Sequence, residues 1–174
     1  MQIRPGAPAD AAVFAELAAA TFPLACPPHT TPDSIAEFIS RNLSLENFEG
    51  YLADPDRVLF LALENDSAIG YAMLVLAEPT DPDVVRSVAT HPTCELSKLY
   101  VRPGHHGAGV SAGLVAACVD AARAAGRAGI WLGVNQLNAR ANRFYERSGF
   151  ALVGTKRFLV GGSWEDDFVR ELSF

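Results

Sequence analysis

The spacing of apolar and polar residues changes repeatedly along the chain, and each change predicts an element. Gln2 to Arg4 is a short strand ahead of Pro5. From Ala9 to Thr21 the larger apolar residues Val13, Phe14 and Leu17 recur at helical spacing. The proline-rich run Pro23 to Pro32 is expected to break that helix. Thr31-Pro32-Asp33 opens another, with threonine as cap and proline at the first helical position, running to about Asn42. Ser44 to Ala53 reads as a further short helix, closed by Asp54-Pro55. The apolar run VLFLALE, Val58 to Glu64, predicts a buried strand, which Asn65-Asp66-Ser67 turns into a partner, Ala68 to Ala77. Glu78 to Pro92 is polar and irregular.

The second half alternates more regularly. Cys94 to Val101 is a central strand, followed by an alanine-rich helix, Ala108 to Ala125, with Gly126 as its C-cap. Ile130 to Val134 is the next strand and Asn138 to Ser148 the next helix. Phe150 to Leu159 and Trp164 to Leu172 form a closing hairpin over Val160 to Ser163. No repeat, low-complexity segment or linker interrupts the pattern, so residues 1–174 read as a single domain. Hairpins combined with one strand–helix–strand crossover predict a mixed sheet flanked by helices, an α+β arrangement.

One junction carries chemistry: ELSKLYVRPGHHGAGVSAGLV, Glu95 to Val115. A strand runs into a turn at Arg102-Pro103-Gly104, and Gly107 and Gly109 lead into the helix. The start of a helix leaves several N–H groups free and carries partial positive charge, which suits a phosphate or pyrophosphate. A Walker P-loop is excluded, because no lysine follows the glycines. Gly107, Gly109 and Ala112 match the dinucleotide fingerprint literally. The context does not fit: five residues separate strand from glycines, and the strand Ile130 to Val134 ends in Asn135-Gln136 with no carboxylate.

The stretch resembles motif A of the GCN5-related N-acetyltransferases (GNAT), [QR]-x-x-G-x-[GA] between a strand and a helix. His106 takes the Gln/Arg place, Gly109 the glycine and Ser111 the small residue. Downstream, NQLNARANRFYERSGF resembles motif B of the same family through Asn138, Ala141, Phe144, Tyr145, Gly149 and Phe150. The match covers the second half closely and the first half loosely. The two departures, His106 and Ser111, leave the cradle intact, since a serine hydroxyl is small and adds a donor. ELSKLYV and the tail FLVGGSWEDDFV resemble a bacterial polyamine-acetylating subgroup. The resemblance implies a three-layer fold with a mostly antiparallel sheet, and transfer of acetyl from acetyl-CoA to a primary amine, by direct attack in a ternary complex. A small amine or polyamine is the favoured acceptor; a protein or peptide acetyltransferase and a non-catalytic acetyl-CoA-binding module are the alternatives. An open acidic pocket would favour the small amine, a long surface groove a peptide, and a blocked tunnel beside Tyr145 the binding module.

The same resemblance implies site residues. The pyrophosphate fits the N–H groups of His106, Gly107, Ala108, Gly109, Val110 and Ser111. The pantetheine amides would meet the backbone of Leu99, Tyr100 and Val101, where that strand splays from the one ending at Val134. Asn138 is a further contact, or a helix N-cap, or both. Tyr145 is the donor to the leaving sulfur, since a phenol stays protonated near neutrality. Glu95 lies on the central strand on the amine side of the splay, where burial would raise its pKa and suit a base; ordered water is the alternative.

Composition narrows the partners. A net charge of −6 with no basic stripe argues against nucleic acid. Cys26, Cys94 and Cys118 are isolated, which predicts reduced thiols and a cytoplasmic location. No run of membrane length or leader-like start is visible, so no membrane partner is expected. His105 and His106 are adjacent, diverge in direction and lack a third ligand, so no metal is expected. A homodimer is compatible with the sequence.

Overall fold

The computed structural model describes residues 1–174. Seven strands form one sheet: β1 (Gln2–Pro5), β2 (Arg57–Glu64), β3 (Ser67–Val75), β4 (Thr93–Val101), β5 (Gly129–Asn135), β6 (Ala151–Val160) and β7 (Ser163–Ser173). Their spatial order is β1-β2-β3-β4-β5-β7-β6. Every neighbouring pair is antiparallel except β4 and β5. That parallel pair brackets the one crossover helix, α5 (Val110–Ala124). The predicted α+β, mostly antiparallel architecture is the one observed.

Helices α1 (Ala11–Ala25), α2 (Pro32–Asn42) and α3 (Leu45–Ala53) cover one face. Their core is Phe14, Leu17, Phe22, Phe48, Leu61, Tyr71 and Met73. On the other face α5 and α6 (Ala139–Arg147) bury Leu74, Leu96, Leu114, Cys118, Ile130, Leu132 and Phe150. Two apolar faces on one sheet make the three layers. No helix is long and apolar enough to cross a membrane.

Three boundaries differ from the sequence expectation. α1 runs through Pro23 to Ala25 instead of ending at Thr21. A proline in the last turn removes only one intrahelical bond, and Phe22 just before it is buried and stacked on Phe38 at 4.4 Å. The span Glu78 to Pro92 contains a short helix, α4 (Pro82–Ser87), capped by Asp81 through the Asp83 N–H. Its Val84 packs with Val88, Trp131 and Val169. α5 begins at Val110 rather than Ala108, because Gly107 and Gly109 hold left-handed backbone, φ 85° and 79°.

Candidate active site

The site is built where β4 and β5 part. They pair only through Thr93–Gly129, Cys94–Ile130 and Glu95–Trp131. Beyond Trp131 a cleft of about 920 Å³ opens between them, lined by both strands and by the loop leading into α5. The β4 backbone from Leu96 onward therefore has its β3 partner on one side and the cleft on the other. Leu99, Tyr100 and Val101 all lie on the wall.

At the α5 end of the cleft, no backbone N–H from His106 to Ala112 bonds to an acceptor in the chain; the first helical bond is Gly113 N–H to Gly109 C=O at 2.9 Å. These donors converge at a helix N-terminus. A side chain at Gly107 or Gly109 would enter open space, so both glycines keep the cradle clear as well as supplying positive φ. His106, Gly107, Gly109, Val110 and Ser111 line the cleft, while Ala108 is exposed and not part of its wall. His105 reaches instead toward Glu64, at 3.5 Å, so the two histidines do diverge. Burial, with Arg140 and His105 nearby, lowers the His106 pKa.

α6 delivers Tyr145. Asn138 caps that helix through the Ala141 N–H at 3.1 Å, while its Nδ2 has no partner in the chain and the residue lines the cleft. Buried Asn142 ties α6 to the end of β5 through the Asn135 carbonyl at 3.0 Å. Arg170 on β7 holds Asn142 Oδ1 at 3.1 Å and the Phe150 carbonyl at 3.2 Å. Tyr145 is wedged edge-on against Phe144 and Phe150, centroids 5.3 and 5.6 Å away. Its hydroxyl makes no hydrogen bond within the chain, and burial pushes its pKa well up, so it holds its proton.

Glu95 lines the opposite end of the cleft. Burial raises its pKa, against the pull of Lys156, Lys98 and Arg57. Burial also lowers Lys98, to about 8, with Glu95 opposing. The same sheet face carries residues that the sequence reading did not assign. Lys156 on β6 and Glu165 and Asp167 on β7 line the cleft. Glu165 meets His29 at 2.6 Å. Asp167 is raised by burial to about 6, against Lys156. The legible signal was the alternation in Glu165-Asp166-Asp167-Phe168-Val169, which sends Glu165, Asp167 and Val169 to one face. The segment Glu78 to Pro92 contributes nothing to the wall; the β6–β7 hairpin and Thr21 to Leu43 do.

A strand backbone open on one side, a cradle of free N–H groups and a phenol with a held proton suit a thioester carried on a pyrophosphate-bearing handle. Residues 16–150 match the Acetyltransferase (GNAT) family. The chain is a member of that family. It is a GNAT-type, acetyl-CoA-dependent N-acetyltransferase. It is 45% identical over 165 residues to an uncharacterised N-acetyltransferase of Mycobacterium tuberculosis, covering 94% of this chain and 98% of that one. A 68-residue stretch is 37% identical to streptothricin acetyltransferase of Streptomyces lavendulae, 39% of this chain and 36% of that one. Its fold matches the PaiA N-acetyltransferase of Thermoplasma acidophilum, solved with coenzyme A: TM-score 0.80, 18% identity, 99% and 98% coverage. It also matches yncA of Salmonella typhimurium, solved with acetyl-CoA: TM-score 0.70, 23% identity, 99% and 93% coverage.

Proposed function

We propose that this GNAT enzyme acetylates the primary amine of a small molecule. The observation that carries this reading is the wall beyond the β4–β5 gap. It presents three carboxylates, Glu95, Glu165 and Asp167, on one face of the sheet. An amine arrives as a cation near neutral pH, and these carboxylates, set among Lys98 and Lys156 on the same wall, can hold it. A polyamine is one member of that class.

Acetyl-CoA supplies the thioester whose acetyl group is moved. Free N–H groups from His106 to Ala112 would hold its pyrophosphate, and the open backbone of Leu99 to Val101 its amide-bearing arm. Asn138 Nδ2 adds a donor beside them. Tyr145 keeps a proton on Oη for the departing sulfur. Glu95 takes the proton from the amine at its carboxylate; a base buried enough to have a raised pKa matches this task better than an exposed one. With the cofactor on the α5–α6 side and the amine on the α1–α3 side, the two substrates would meet through the gap in the sheet.

An assay of free CoA release over a panel of small amines and polyamines tests the reading. Turnover of small amines is expected. Turnover of peptides or proteins alone would replace the acceptor class, and acetyl-CoA binding without turnover of any amine would leave a binding module.

A further inference from the structure

Two opposite charges stand side by side on the acceptor face without pairing. Asp167 on β7 and Lys156 on β6 are direct cross-strand partners. Asp167 is only 6 % exposed, yet its carboxylate accepts no hydrogen bond and joins no ion pair within the chain. Lys156 has no ion-pair partner either; its Nζ stands over the rings of Trp131 and Phe158, 5.9 and 5.7 Å from their centroids. Both residues line the cleft.

Between them lies Gly133 of β5. A methyl carbon placed there would sit 3.2 Å from Asp167 Oδ2, 3.4 Å from Lys156 Cδ and 3.9 Å from its Nζ. Asp167 and Lys156 thus crowd the space above the glycine from two sides, and both face the cleft. Gly133 is two residues past Trp131, where β4 and β5 stop pairing, so that space opens onto the gap. The Asp167 carboxylate faces the cleft with no donor from the chain, so it is free to accept one from a ligand.

Resting on the amine-acceptor reading above, we propose that this space receives a zwitterion: the acceptor is of the α-amino acid class, its ammonium on Asp167 and its carboxylate on Lys156. The neighbouring charges favour this over a diamine. Lys98, Lys156 and Arg57 already face Glu95, so a second substrate cation would meet three like charges there. Asp167 shares its face of β7 with Glu165, and the one cation directly across from it is Lys156. The ammonium therefore docks at Asp167, next to the splay, and is the nitrogen that reacts. A carboxylate on the adjacent carbon then falls toward Lys156.

The test compares initial rates for the common α-amino acids, each beside its own carboxamide, with acetyl-CoA saturating. The best acid should exceed its amide by at least about tenfold in kcat/KM, the loss expected when the charge-assisted contact to Lys156 is not made. This holds even though amides carry the larger neutral-amine fraction. Lys156→Met should bring the two within about twofold, chiefly through KM of the acid. Gly133→Ala should fill the space and raise that KM. A retained acetyl-CoA-induced rise in Tm shows that each variant is folded. Amides turned over as well as acids by the wild type would overturn this proposal and leave amine acetylation standing. A preference that survives Lys156→Met would overturn it too. No turnover of any amine, with acetyl-CoA still bound, would overturn both readings.

Discussion

Glu95 and Lys98 point to the same side of β4 although their positions are three apart. Strand side chains alternate, so an odd spacing should place them on opposite faces. The register shows why it does not. Glu95 pairs with Val75 and Lys98 with Met73, while Leu96 pairs with Leu74, so Ser97 is left out of the ladder as a bulge. Val75 and Met73 both pack toward α1–α3, and Glu95 and Lys98 share that face. The bulge thereby turns a carboxylate and a lysine into the cleft together.

If Glu95 is the base, Glu95→Gln should lower kcat/KM most at low pH, where neutral amine is scarcest. The deficit should shrink as pH approaches the pKa of the acceptor amine, because the amine then arrives without its extra proton. A pH–rate profile of both enzymes measures this. A deficit of constant size would assign Glu95 to binding the cation instead.

Tyr145→Phe removes one hydroxyl from a ring whose edge contacts with Phe144 and Phe150 remain. We expect kcat to fall about 100-fold, in the range for a positioned acid, with acetyl-CoA affinity little changed. Steady-state kinetics and calorimetry separate the two. Normal kcat would make Tyr145 a packing residue.

Acetyl-CoA should raise Tm, since it binds only the folded chain; at about 100 times Kd the gain is about 2.7 kcal/mol. Gly109→Glu should abolish the shift. The substitution forces a side chain onto backbone of φ 79° and sends a carboxylate into the phosphate cradle. Thermal melts with and without ligand decide it, and an intact shift would move the cofactor elsewhere.

Asp167 makes stability depend on pH. Its folded pKa, about 6, lies above its ordinary value of 3.8. The folded state therefore holds the proton more tightly than the unfolded one, and stability is lost as pH rises through the folded pKa. Asp167→Asn should stabilise the protein at pH 8 by up to about 3 kcal/mol, less whatever solvent in the cleft screens. At pH 4 it should stabilise little. Denaturant unfolding at the two pH values reads the difference, and an equal effect at both would contradict the raised pKa.

Much of this was legible from residue order, and the remainder has identifiable physical reasons. Gly107 and Gly109 could be read because the backbone there needs what only glycine allows. Tyr145 and Asn138 followed from a helix-borne pattern that keeps its register. The continuation of α1 through Pro23 was hidden, because it rests on the stacking of Phe22 with Phe38, sixteen positions further along. α4 carried the same cap-and-proline signature as α2, in Asp81-Pro82-Asp83, inside a span that looked too polar for structure. Lys156 and Asp167 were invisible as a pair. They are joined by cross-strand register, and both crowd the space left by the missing side chain of Gly133.

The early parting of β4 and β5 leaves the middle of the sheet with an unfinished edge. Edges of this kind invite another strand, and exposed ones are a route to aggregation. Here the edge lies in mid-sheet, between β3 and the cleft, and not at the rim of the sheet. A slender ligand carrying amides would complete it, and in the proposed binding mode the cofactor's arm would serve as a temporary eighth strand. The amides of β4 that face the cleft should exchange with solvent quickly without acetyl-CoA and slowly with it, while those facing β3 stay protected throughout.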